Sequence, residues 1–168
     1  MKKICIFLVL CCVISSACGL NGAFSSNVIS AQYVSTHQDV PTATTLIDSK
    51  SELEAYYQNY TNGSIERDDL DDFLKSCEKY DDAFFAQNKL VLVSFLEGSG
   101  SISHEVSGIT YSENNVNIKI NRIHPEVGSC DMMGWHIFVE LTDCKSLAEN
   151  VDIDVTFEDI YKKPLFWQ

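Results

Sequence analysis

Positive charge is scarce. Lysine and arginine total 12 against 24 aspartates and glutamates, a formal net charge of -12. Past residue 17 the imbalance deepens to ten basic and 24 acidic residues. A surface of that sign repels phosphate backbones, so nucleic-acid binding is excluded as a working function. It also disfavours electrostatic docking on anionic lipid. The sequence lacks any apolar run near the ~20 residues that a membrane-spanning helix needs. It has no Cys-x-x-Cys or His-x-x-x-His pair for zinc and no Gly-x-Ser-x-Gly elbow for a hydrolase. The acidic stretch Asp68-Asp69-Leu70-Asp71-Asp72 has neither the central glycine nor the twelfth-position glutamate of a calcium loop. It reads as the start of a helix whose acids complement the macrodipole, with Phe73, Leu74 and Cys77 behind them. No internal repeat and no second domain are visible.

Hydrophobic residues are plentiful: 45% of 168 residues, with 21% charged, is the composition of a globular domain. The amino terminus departs from it. Met1-Lys2-Lys3 is basic, Ile4 to Ile14 is apolar, and Ser15-Ser16-Ala17 is small. That order is a secretory signal peptide, residues 1–17. Cys18 follows directly, which resembles the lipobox of bacterial lipoproteins, with Ser15 where an aliphatic residue is usual. The resemblance implies lipidation of Cys18 and a chain held on the outer face of the cell membrane. The alternative is cleavage and secretion. Residues 18–41, rich in Ser, Asn, Ala, Gln and Thr, read as a flexible tether. Residues 42–168 then form a single globular domain.

Within that domain the organising stretch is Lys89 to Ile109. Lys89 to Leu96 is a Val- and Leu-rich run, the pattern of a strand buried on both faces. Gly98-Ser99-Gly100-Ser101 breaks it, and Ile102, His104 and Val106 alternate with polar residues beyond. These features predict a central hairpin. Ser49 and Glu52 form a capping box, and Leu53, Tyr56, Tyr57 and Tyr60 give the helix after it an apolar stripe that packs on the core. Asp81 caps a short turn carrying Phe84 and Phe85. Further strands are predicted at Thr42 to Ile47, Val116 to Ile120, Trp135 to Leu141 and Val151 to Phe157. The fold class is α+β: short N-terminal helices followed by a mainly antiparallel β-sheet, as a sandwich or an open barrel. The aromatic tail Tyr161 to Trp167 is predicted to dock back on the core.

Two chemistries need weighing. His104, His124 and His136 fall on or beside strands, with Cys130 and Asp131 between the last two, so a metal site or a hydrolase built from these five residues is the alternative function. Against it, His104 and Glu105 are neighbours in a strand and point to opposite faces, so they cannot act as base and orienter. Three cysteines remain after Cys18, namely Cys77, Cys130 and Cys144, which allow at most one disulfide. Cys130 and Cys144 bracket the Trp135 strand, whose length works against pairing them.

Gly98 to Val106, the strand at Val116 to Ile120 and that at Trp135 to Leu141 are together similar to the C-terminal domain of protease-complex subunit PrcB proteins, over about Lys89 to Phe157. Ser99-Gly100-Ser101 stands where that family has a Gly-Gly-Tyr turn. The resemblance implies a non-catalytic exported accessory domain that binds another protein, such as an extracellular protease. It brings no catalytic residues and no cofactor. The expected contact residues are Gly98, Ser99, Gly100 and Ser101 in one loop, and Met132, Met133 and Trp135 in another.

Overall fold

The structure is a computed structural model that describes residues 24–25, 29–37, 39–61, 67–142, 144, 147–148 and 150–162. The signal peptide, Cys18 and the tail beyond residue 162 lie outside them, and the expectations placed there are not addressed by the fold. The described chain builds two four-stranded sheets and a helical layer. One sheet has the order β2 (Ala31–Thr36), β7 (Met133–Leu141), β4 (Lys89–Glu97), β3 (Ala43–Ile47). The other has the order β1 (Phe24–Ser25), β5 (Ser103–Ser112), β6 (Asn115–His124), β8 (Asp152–Tyr161). All neighbours run antiparallel except β6 and β8, which are parallel. The sheets do not close into a barrel. The α+β class stands, and the sandwich is the form it takes.

β4 shows why the layers stack as they do. Val91, Val93 and Phe95 face the second sheet and pack with Val106, Ile118, Ile120, Ile137 and Val139. Leu90 and Leu92 face the other way, with Phe138, onto α1 (Lys50–Thr61) and α2 (Arg67–Cys77) through Leu53, Phe73 and Tyr80. The continuous apolar run is therefore needed on both faces. β5, β6 and β8 alternate because only their inner face is covered. The helices begin where their caps dictate. Glu52 donates its amide to Ser49 Oγ at 3.3 Å and accepts from the Asp48 amide at 3.0 Å. Asp81 accepts from the Phe84 amide at 2.9 Å and opens α3 (Asp82–Phe85). The tyrosine stripe of α1 packs around Phe73.

Two expectations are corrected. The Gly98–Ser101 segment does not close a hairpin: β4 pairs with β3 and β7, while β5 pairs with β1 and β6 in the other sheet. The segment is a crossover between sheets. A strand buried on both faces takes the middle layer, and one with a polar face takes the outer layer. The supposed tether also contains structure. Ala31 to Thr36 pairs residue for residue with Thr36↔Gly134 through Ala31↔Val139, and Val34, Thr36 and Val40 are buried. β2 is an edge strand with one polar flank, so its composition is loop-like while its backbone is not. The sequence allowed at most one disulfide among Cys77, Cys130 and Cys144, and in the structure none of the three is bridged. Cys130 and Cys144 flank β7, which holds its ends about 30 Å apart.

Candidate functional site

Strand parity places a polar cluster inside one end of the sandwich. Continuing β4 by twos from Val91, Val93 and Phe95 brings Glu97 to the inner face. The same step along β6 from Val116, Ile118 and Ile120 leads to the half-buried Arg122 and His124, and along β8 from Ile153, Val155 and Phe157 it leads to Asp159 and Tyr161, which stand exposed at the rim. β5 contributes His104, directly opposite Arg122, and β7 contributes Trp135, opposite Phe95. The core thus changes from aliphatic to aromatic to charged within two residues per strand.

The charged groups form a chain. His104 Nε2 donates to Glu97 Oε2 at 3.2 Å. Arg122 Nε lies 3.4 Å from the same oxygen as an ion pair without the alignment of a hydrogen bond, and Arg122 reaches Asp159 Oδ1 at 3.9 Å. His124 Nε2 meets Asp159 Oδ1 at 2.8 Å, and its ring stacks on Tyr161 at 4.5 Å. Aromatic rings support the chain from below. The Arg122 guanidinium lies over Phe157 at 4.4 Å, and Phe95 and Trp135 meet the His104 ring edge-on at 4.9 and 4.7 Å. Burial lowers the His104 pKa, and the Glu97 carboxylate only partly opposes it. His104 is accordingly neutral at pH 7, and its bond to Glu97 is a hydrogen bond to a carboxylate rather than an ion pair. The bond from His124 holds the Asp159 carboxyl below the usual range, with Arg122 assisting.

Two loops cover this end. The Gly100 amide donates to the Asp131 carbonyl at 2.9 Å and lies 3.3 Å from Asp131 Oδ1. Ser129 Oγ bonds to Ser101 Oγ at 2.7 Å and to Ser99 Oγ at 3.2 Å, and the Ser129 amide donates to Ser101 Oγ at 2.8 Å. A Cβ on residue 100 would stand 2.7 Å from Asp131 Oδ2 and 3.0 Å from the Met133 methyl, so glycine is what permits this approach. Hydrogen bonds from Ser129 and from backbone amides hold the Asp131 carboxyl below its ordinary pKa.

The loop residues singled out from sequence are therefore brought together, with one correction. Met132 is exposed, but Met133 and Trp135 are partly buried, and Trp135 turns inward onto His104. Its position in the β7 alternation requires this. The five residues of the metal or hydrolase alternative are not assembled. His104 and His124 lie in the charged chain, Cys130 and Asp131 in the outer loop, and His136 on the opposite face of β7 under the helices. Ser103 and Glu105 point outward, and the Ser99 and Ser101 hydroxyls are engaged by Ser129. Among the described residues no group of three or more His, Cys, Asp or Glu is arranged to hold a metal ion. Glu97, Arg122, Asp159 and Tyr161 were not anticipated from sequence, although their strand parity was legible. The chain matches no family model, and no curated protein or solved structure matches it.

His136 has a separate role. Its ring is buried between Tyr60 at 4.5 Å and Phe73 at 5.1 Å, and Tyr56 Oη lies 3.3 Å from Nδ1. Desolvation lowers its pKa to about 4 from 6.5. The unfolded chain binds a proton there more readily, so stability is complete above pH 6.5 and falls as the pH drops toward 4. The loss is about 3 kcal/mol. Urea melts across that window should show this slope, and His136→Phe should flatten it. An unchanged slope in the variant would assign the acid sensitivity elsewhere.

Proposed function

We propose that the chain is a non-catalytic, lipid-anchored binding module on the outer face of a bacterial cell membrane, and that its loop end docks another exported protein. The supporting observation is where apolar surface remains exposed. Of the six exposed large hydrophobic residues described, Val127, Met132, Ile160 and Tyr161 all lie at the end covered by the two loops. Met132 and Tyr161 are 57% and 69% exposed. Methionine and tyrosine are enriched at the centres of protein interfaces, and a desolvated partner surface suits them better than water does. The Glu97–His104 pair, buried beneath the loops with Arg122 half-buried beside it, gives them a rigid frame, which reduces the ordering cost of binding. An extracellular protease as the partner follows from the resemblance to the PrcB domain.

The reading is tested by affinity capture from detergent-solubilised membranes, comparing wild type with the double variant Met132→Asp, Tyr161→Asp. Both side chains are largely exposed, so the fold should persist, with only a small drop in thermal midpoint from loss of the Tyr161–His124 stack. Recovery of a specific partner should fall about tenfold or more, as expected for hot-spot residues. Equal recovery by both proteins would show that this end is not the docking surface.

A further inference from the structure

A second surface lies on the helical layer, away from the loop end. Along α1, Lys50, Leu53, Glu54 and Tyr57 share one helix face at the i, i+3, i+4, i+7 spacing. Across from them stand Leu74 and Cys77 of α2, and Tyr80 closes one end. Between these ridges runs a groove of about 350 Å³, within the size range of ligand sites. Its floor is apolar, and Leu74 remains 36% exposed on its wall. Burial pushes the Cys77 thiol up to about 12, so it presents an uncharged sulfur to the groove. The rim is mainly acidic. Glu54, Glu78 and Asp81 border the opening, and the one cation there, Lys50, is 3.7 Å from Glu54.

We propose that this groove docks a cationic amphipathic helix supplied by another protein. The groove is of a size to receive a few side chains from a helix lying across the α1–α2 seam. The apolar floor would receive residues at i, i+3 and i+7 of the incoming helix. The acidic rim selects Lys and Arg on its flanks and repels an acidic segment, a second copy of this chain's acidic helices included. The inference does not depend on the lipid anchor or on the loop end, and its test leaves both untouched.

The probe is a synthetic Leu/Lys peptide about five turns long, patterned as an amphipathic helix, with a Leu/Glu peptide of the same pattern as control. Binding to the purified protein is followed by fluorescence anisotropy of the labelled peptide. Protection of Cys77 from alkylation, mapped by mass spectrometry, reports the place, with the exposed Cys130 as internal reference. The Leu/Lys peptide should bind and slow Cys77 alkylation severalfold while leaving Cys130 unchanged, and the Leu/Glu peptide should do neither. Leu74→Glu should weaken binding about tenfold or more. Glu54→Gln with Glu78→Gln should weaken it and flatten its salt dependence. If Leu74→Glu perturbs folding, Cys77 protection in the wild type still decides. Equal binding of both peptides, or Cys77 alkylation unchanged by the bound Leu/Lys peptide, would overturn the proposal. So would a wild-type dimer in sedimentation that Leu74→Glu dissociates, since the groove would then be a self-interface.

Discussion

A chain that begins at Thr42 should not fold cooperatively, whereas one that begins at Ser26 should. The first lacks β2 and the second keeps it. All six residues of β2 pair with β7, and removal turns β7, whose Ile137, Phe138 and Val139 are fully buried, into an open edge. Val34 and Thr36 leave the core, and α2 loses the strand it packs against. Two ties that cross between elements are lost as well. Gln32 Nε2 donates to Tyr80 Oη at 2.9 Å, and the Val106 amide donates to Tyr33 Oη at 2.8 Å, the latter joining the two sheets. With about 1 kcal/mol per ladder bond and about 2 kcal/mol for a buried valine, the loss approaches the 5–15 kcal/mol by which typical domains are stable. Circular dichroism melts and proton–nitrogen NMR spectra of the two truncations decide the matter. A sharp transition from the Thr42 chain within a few degrees of the longer one would mean that β2 is an ornament of the sheet rather than part of its core.

That edge strand also shows what the sequence could and could not convey. Ala31-Gln32-Tyr33-Val34-Ser35-Thr36 contains an aromatic and two β-branched residues, which suit a strand, but too few apolar ones to outweigh its polar surroundings. Its strand character comes from a partner a hundred residues away, and local composition carries no trace of that. The same limit produced the hairpin error. Gly98-Ser99-Gly100-Ser101 announces that the chain turns, but a turn does not say which sheet receives the next strand. The difference in burial pattern between β4 and β5 did say it: two strands of one hairpin share their layers, and these two do not. Local signals did better where the physics is local. Ser49, Glu52 and Asp81 cap the helices they were expected to cap. At the candidate site, the glycine and serine types marked two loops that the structure brings into contact. The charged chain below them was missed because acids at strand ends ordinarily face water, and only counting by twos from Phe95, Ile120 and Phe157 places Glu97, Arg122 and Asp159 on one face, with Glu97 buried, Arg122 half-buried and Asp159 at the exposed rim.

Replacing Cys18 by Ala should move the protein from the membrane fraction to the medium, or stall it with its signal attached. The proposal rests on the basic start, the short apolar run and the small residues that precede Cys18. Each buried methylene adds about 0.8 kcal/mol, so one acyl chain holds marginally and two hold stably. Wild type should therefore be released by detergent and not by salt. The fold adds a direction to this anchor. Phe24 and Ser25 pair with Tyr111 and Thr110, at the end of β5 away from the loops. Only five residues lie between Cys18 and Phe24, a span of at most about 20 Å. On the proposed anchor, the turn at Glu113 and Asn114 would be held near the bilayer, and the loop end would stand away from it by about the length of a strand, roughly 30 Å. On intact spheroplasts a bulky maleimide should modify Cys130 at the rate seen in detergent, and should modify an introduced Asn114→Cys more slowly than in detergent. Wild type recovered from the medium with an amino terminus downstream of Cys18 would refute the anchor. Equal shielding of the two thiols would refute the orientation alone.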